Sequence, residues 1–283
     1  MTKLNEAAMT RAAEETIAGT GGELFLRSWR PNAAPRTVVA ICHGFNAHSG
    51  YYQWAADQFT AKGLTVYAVD LRGRGRSDGE RFYVETVDDY VADVDAMIAT
   101  ARARDAGRKV FLLGHSAGGV VSVTYALDHG SQIAGLICAD FAYQVPAPDF
   151  AIAALKGLAH VVPHSKAFTL KNADFSRDSA RIAAMNADPL IAGETQPFQT
   201  MSALAHADER LKRSFSQVKV PVFIVHGAAD RVTKPSGSRE FYEHAGSADK
   251  TLRIYEDRFH DMLNDFGREE VMADFQAWID ARI

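Results

Sequence analysis

Cysteine is scarce in this 283-residue sequence, which has only Cys42 and Cys138. Both stand inside apolar, strand-like runs, without the short Cys/His spacings of a metal site. They read as buried reduced thiols, which excludes a disulfide framework and suits a reducing compartment. Long apolar runs are missing too. No stretch approaches the roughly 18 apolar residues of a membrane span. Met1 to Glu15 alternates polar and small residues, without the apolar centre of a secretory signal. The expectation is a soluble, cytoplasmic protein with no transmembrane segment. Positive charge is not in excess either: 31 basic against 35 acidic residues leave a formal net charge of −4. That argues against nucleic acid as a partner, since a binder concentrates positive charge on one face. The phosphate-cradling pattern G-x-x-x-x-G-K-[ST] is absent, as is any repeat of roughly 20–50 residues.

What is present is a soluble globular composition, 47% hydrophobic and 23% charged, which excludes disorder. Short continuously apolar runs of the buried parallel-strand type recur at Thr37–Cys42, Leu64–Asp70, Lys109–Gly114, Ile133–Asp140, Val220–His226 and Thr251–Tyr255. Leu24–Trp29 reads as an edge strand entered through Gly19-Thr20-Gly21-Gly22. Helical periodicity separates the runs, for example at Val87, Val91, Val94 and Ile98, and after Gly267 at Val271, Phe275, Trp278 and Ile279. Strands alternating with helices predict an α/β class with a mostly parallel central sheet covered on both faces.

The alternation stops between residues 143 and 205. This stretch is punctuated by Pro146, Pro148, Pro163, Pro189 and Pro197 and is too long for a loop in a compact domain. It reads as a helical cap, residues 143–205, inserted into a core made of residues 1–142 and 206–283. Its stripe Phe150, Ala154, Leu155, Leu158, Val161 and Val162 either packs on the core or roofs a pocket for an apolar substrate.

The chemistry centres on Gly114-His115-Ser116-Ala117-Gly118, which follows the strand KVFLLG and opens a helix. This is the G-x-S-x-G elbow in the strand–turn–helix setting that its strained turn requires. Ser116 is the candidate nucleophile, set at a helix N-terminus whose dipole favours developing negative charge. A serine hydroxyl needs a base. His260, past the last strand and before the last helix, stands where the order Ser…Asp…His puts it. His160, His164 and His206 fall in or beside the cap as solvent-facing residues or substrate contacts, and His226 looks structural. The acid is Asp230, in the turn His226-Gly227-Ala228-Ala229-Asp230 after a strand, with Asp140 as its rival at the end of another. Backbone donors for an oxyanion are the N–H groups of Ala117 and of Phe45, in the loop His43-Gly44-Phe45. His43 reads as a brace of that loop. Arg72-Gly73-Arg74-Gly75-Arg76-Ser77 reads as a glycine-rich brace rather than a phosphate or nucleic-acid site.

The segments HGFNAHSGYY, DLRGRGRSDG, GHSAGG, VHGAAD and the late His260 together resemble the α/β-hydrolases, in particular the monoacylglycerol lipase and lysophospholipase-like branch. The resemblance runs from about Leu24 to the end. It implies an α/β-hydrolase fold with Ser116 as nucleophile, Asp230 as acid, His260 as base, and Phe45 and Ala117 as oxyanion donors. It also implies cleavage of carboxylic esters through an acyl-enzyme, without metal or organic cofactor, on a small ester with an apolar acyl or aromatic group. Thioesterase, acyltransferase, amidase or peptidase activity would use the same residues, and a ligand-binding receptor can keep the fold. The branch usually reads HGxxEHSxRY, whereas Ala47 and Tyr51 stand here in place of the Glu and the Arg. Likewise DLRGRGRSDG replaces the usual DHxGHGxSDG. The missing polar groups point away from glycerol-headgroup specificity and toward a broader or more aromatic ester range.

Overall fold

The computed structural model describes residues 11–145 and 149–283, so Pro146 and Pro148 of the expected cap lie outside the described residues. The chain runs through β1 (Ala13–Gly19), β2 (Gly22–Trp29), β3 (Thr37–Cys42), α1 (Gln53–Ala61), β4 (Leu64–Val69), α2 (Val87–Arg104), β5 (Val110–His115), α3 (Ala117–His129) and β6 (Gly135–Ala139). It continues through α4 (Asp149–Ala159), β7 (Lys166–Phe168), α5 (Ser179–Ala187), β8 (Gln196–Pro197) and α6 (Phe198–Ser214). It returns to the core with β9 (Val222–Gly227), α7 (Pro235–His244), β10 (Lys250–Tyr255) and α8 (Arg268–Asp280).

Eight strands form one sheet in the order β1-β2-β4-β3-β5-β6-β9-β10. Pairing is parallel from β4 to β10, and β2 is antiparallel to both β1 and β4. The central strands β3 and β5 are buried along their whole length, which is why they read as continuous apolar runs. Their side chains still alternate between faces. Val38, Ala40 and Cys42 of β3 join the cluster under α2 and α3, while Val39 and Ile41 join the one under α1 and α8. Since β4 and β5 flank β3 on opposite sides, the chain reverses direction across the sheet at β3 and opens a crevice at the strand C-termini. The loop after β3 and the turn after β5 both face it.

One expectation needs correction. β2 is not the edge strand, because the polar segment before it forms β1 and pairs with it residue by residue from Ala13↔Ser28 to Gly19↔Gly22. An edge strand needs little apolar content, and β1 packs mainly Ile17 inward. Its acids are paired, Glu14 with Arg27 and Arg76, and Glu15 with Arg104, which blunts the edge with charge.

Between β6 and β9 the chain leaves the sheet. There α4 packs on α6, and β7 pairs with β8 in a separate two-stranded ribbon. The position 205/206 falls inside α6, whose Ala203, Leu204, Ala207 and Leu211 belong to the main core cluster. The apolar stripe of α4 and the residues after it do not pack on that core. Phe150 is 77% exposed and Val161 76%, and Leu158 and Val162 are exposed as well. Among the described residues, no helix is long and apolar enough to cross a membrane.

Candidate active site

Ser116 closes the turn between β5 and α3 with φ 58° and ψ −123°, a conformation sterically disfavoured for any residue with a Cβ. The surroundings over-determine it. Ser116 N–H donates to Ala139 O of β6 at 2.9 Å, and Ser116 O accepts from Gly119 N–H at 2.8 Å. The elbow works only because its neighbours lack side chains. A Cβ on Gly118 would stand 2.3 Å from Cys42 O and 2.4 Å from His43 O. A Cβ on Gly44 would stand 2.7 Å from Ser116 Cβ and 3.2 Å from its Oγ. The loop carrying Phe45 thus lies directly against the candidate nucleophile. Ala117 opens α3, where the first amides of a helix have no partner within it.

His260 is fully buried. Its Nδ1 meets Asp230 Oδ2 at 2.7 Å, and its Nε2 is buried with no partner among the described residues. Asp230 is held from several directions. Its Oδ1 accepts the N–H groups of Val232 (2.7 Å) and Thr233 (3.0 Å), and its Oδ2 accepts the Thr233 hydroxyl at 2.7 Å. His226 Nε2 lies 3.1 Å from the same Oδ2, while its Nδ1 pairs with Ser238 Oγ at 2.7 Å. Burial works to raise the Asp230 carboxyl, but the charge of His260 and the bonds from His226 and His260 outweigh it and hold the group far below the usual carboxylate range. The structure therefore brings Asp230 and His260 together as one couple.

Asp140, the rival acid, is also buried here. Its Oδ1 accepts Gly227 N–H at 2.9 Å, and burial followed by the Asp230 charge pushes its carboxyl well up. Asp140, Asp230 and His260 each place one ligand atom within 4.8 Å of the others. The Asp230–His260 hydrogen bond accounts for two of the three, and Asp140 joins them from the end of β6.

Three neighbours escaped the sequence reading. His115 Nε2 donates to His260 O at 2.9 Å, and burial pushes its imidazole down to about 4. Phe175, after β7, packs edge-on against the His260 ring at 5.1 Å and accepts Asp261 N–H at its carbonyl. Arg181 of α5 pairs with Asp261 at 2.9 Å and lies over the Tyr51 ring at 3.9 Å. A guanidinium from the inserted segment thus occupies the side of the crevice where Tyr51 replaces the expected arginine. Phe45, Ala47, Tyr51, His115 and Arg181 line a cavity of about 10 Å³, enough for one water-sized guest.

His43 braces the loop after β3. Its Nε2 accepts Leu71 N–H at 3.0 Å, and its Nδ1 donates to Gly44 O at 2.7 Å. Burial pushes this imidazole down to about 4. The three arginines of DLRGRGRSDG are each spent on a carboxylate: Arg72 on Asp93 and Asp89, Arg74 on Glu194, Arg76 on Glu14. His164 faces out and pairs with Glu80.

The sequence family described as serine aminopeptidase, S33, matches residues 33–266. The chain belongs to this family. Among its relatives, a monoacylglycerol lipase of Mycolicibacterium smegmatis is 30% identical over 272 residues, covering 94% of this chain and 96% of that protein. A human monoglyceride lipase is 30% identical over 271 residues, covering 94% of this chain and 89% of the other. The crystal structure of a monoacylglycerol lipase from Paleococcus ferrophilus superposes with a TM-score of 0.83 at 27% identity, over 92% of this chain and all of that one. The family match spans the loop of Gly44 and Phe45, the elbow, the whole inserted segment and the Asp230–His260 couple.

Proposed function

We propose that this member of the family hydrolyses carboxylic esters through Ser116, His260 and Asp230, on small esters of the monoacylglycerol type with an apolar acyl or aromatic group. One observation carries the reading. His260 gives Nδ1 to an ionised, heavily hydrogen-bonded Asp230, while its buried Nε2 has no partner among the described residues. A base in that state, whose carbonyl is bonded by His115, the residue before the serine of the strained turn, is organised to take a hydroxyl proton.

The reaction follows from the parts. Ser116 Oγ attacks the ester carbonyl as His260 Nε2 takes its proton, and Asp230 stabilises the imidazolium. Charge on the carbonyl oxygen is met by the N–H groups of Phe45 and Ala117, each donor worth about 3–4 kcal/mol. The tetrahedral adduct collapses, His260 returns the proton to the leaving alkoxide, and the alcohol departs. Water then attacks the acyl-serine by the same route, releasing the acid and restoring Ser116.

Residues 143–205 act as a cap over the crevice, clamped to the His260 loop through Phe175 and Arg181. Ala47 and Tyr51 stand where the expected acid and base would, and the pair Arg181–Asp261 supplies charge of both signs beside Tyr51 from the inserted segment and the His260 loop. The buried thiols Cys42 and Cys138 suit a cytoplasmic location.

Labelling with a fluorophosphonate tests the nucleophile. A single adduct is expected on Ser116, lost in Ser116→Ala and slowed at least about a hundredfold in His260→Gln, with general-base catalysis worth about that much. An adduct on another serine would overturn the assignment.

A further inference from the structure

We propose that Asp140 is a second positioning carboxyl for His260, held in reserve at the end of β6. The proposal rests on the reading that Ser116 and His260 carry the reaction. Asp140 directly follows β6 and is fully buried, with φ 48°, in the left-handed region that a non-glycine residue occupies only when its surroundings hold it there. Only one of its carboxyl oxygens is used: Oδ1 caps Gly227 N–H at 2.9 Å, and Oδ2 is buried with no partner. A buried polar atom without a partner is uncommon and calls for an explanation. Oδ2 lies 3.8 Å from His115 Nε2, but that nitrogen is already committed to the His260 carbonyl. One carboxyl oxygen of Asp140 lies within 4.8 Å of a carboxylate oxygen of Asp230 and of a ring nitrogen of His260.

Two carboxyls so close in a buried site do not both ionise. Asp230, fixed by two histidines and three further donors, takes the charge, and Asp140 keeps its proton. Burial and the Asp230 charge both oppose its ionisation. Neutralising Asp230 removes the second of these. The Asp140 proton can then pass to water, leaving a carboxylate beside His260 to stabilise the imidazolium formed as Ser116 gives up its proton.

The test is a mutant cycle on a p-nitrophenyl ester, with kcat and KM measured separately and Ser116→Ala as the baseline. Asp140→Asn alone is expected to stay within about threefold of wild type. Asp230→Asn is expected to lose about 10²-fold in kcat at unchanged KM. The double variant should fall to the roughly 10⁴-fold loss expected when no carboxylate serves the base. An Asp140→Asn penalty of equal size in both backgrounds would mark a structural role and overturn the proposal. So would an Asp230→Asn variant already as slow as the double. If Asp140→Asn melts poorly, Asp140→Ser keeps a polar partner for Gly227 and repeats the cycle. Turnover surviving in Ser116→Ala, or undiminished in both Asp230→Asn and the double variant, would instead sink the triad reading on which the proposal stands.

Discussion

At the residue scale the site is organised around a single carboxylate. Asp230 accepts hydrogen bonds from two imidazoles, a hydroxyl and two amides, and only one of those donors is His260, the candidate base. A hydrogen bond to a charged group is worth about 1.5–3 kcal/mol, so His226 contributes to holding Asp230 in place. Replacing it with Leu should lower kcat about tenfold with little change in KM, and His226→Gln, which keeps a donor, should recover most of the loss; steady-state kinetics check both. Two buried histidines add an acid-sensitive contribution to stability. His43 and His115 are pushed down by burial to about 4 from an ordinary 6.5. At these two sites the unfolded chain therefore binds more protons than the native one between about pH 6.5 and 4. The stability they contribute is fully present above pH 6.5 and is lost as pH falls toward 4. The melting temperature should drop across that window, and His115→Gln, which cannot take the extra proton, should show a shallower fall.

The strained turn at Ser116 and the pairing of Asp230 with His260 were legible in the sequence because each residue lies just past a strand, in chain order, with its motif around it. The supporting contacts were not. His115 and His226 announce themselves only as neighbours of motif residues, and Phe175 and Arg181 reach His260 and Asp261 from 80 or more residues away. Nothing in local periodicity encodes such a tertiary contact.

At the element scale, the close approach of the loop after β3 to the elbow after β5 depends on glycine. Adding one methyl at Gly44 sets a carbon 2.7 Å from Ser116 Cβ, nearer than packing allows. Gly44→Ala should therefore displace Phe45 N–H from the oxyanion and reduce kcat at least tenfold, while the melting temperature falls only by the few degrees of a local repacking. A variant with normal kcat would show that the loop has room to move. The buried parallel strands were predictable from their apolar runs, whereas β1 was missed because an edge strand that buries mainly Ile17 looks like a polar leader. The insertion between β6 and β9 was visible as a break in alternation, whereas α6 runs through position 205/206 and carries Leu204 and Leu211 into the core without a change of helical period.

For the molecule as a whole, the sheet supplies a rigid platform, and the inserted segment supplies the contacts that differ from the expected pattern. Arg74, fully buried, stacks at 4.1 Å on Phe45 and bonds Glu194 and Gln196, so the loop after β3 and the inserted segment are tied through one buried guanidinium. Glu194 in turn accepts Asn46 N–H at 2.9 Å. The most direct test of the account is turnover of a p-nitrophenyl ester series from acetate to palmitate by the wild type and by Ser116→Ala. The account predicts multiple turnovers by the wild type, with a maximum at one chain length, and a loss of roughly 10³-fold or more in the variant. Equal rates in the two proteins, or a wild type that binds these esters and turns none over, would contradict it.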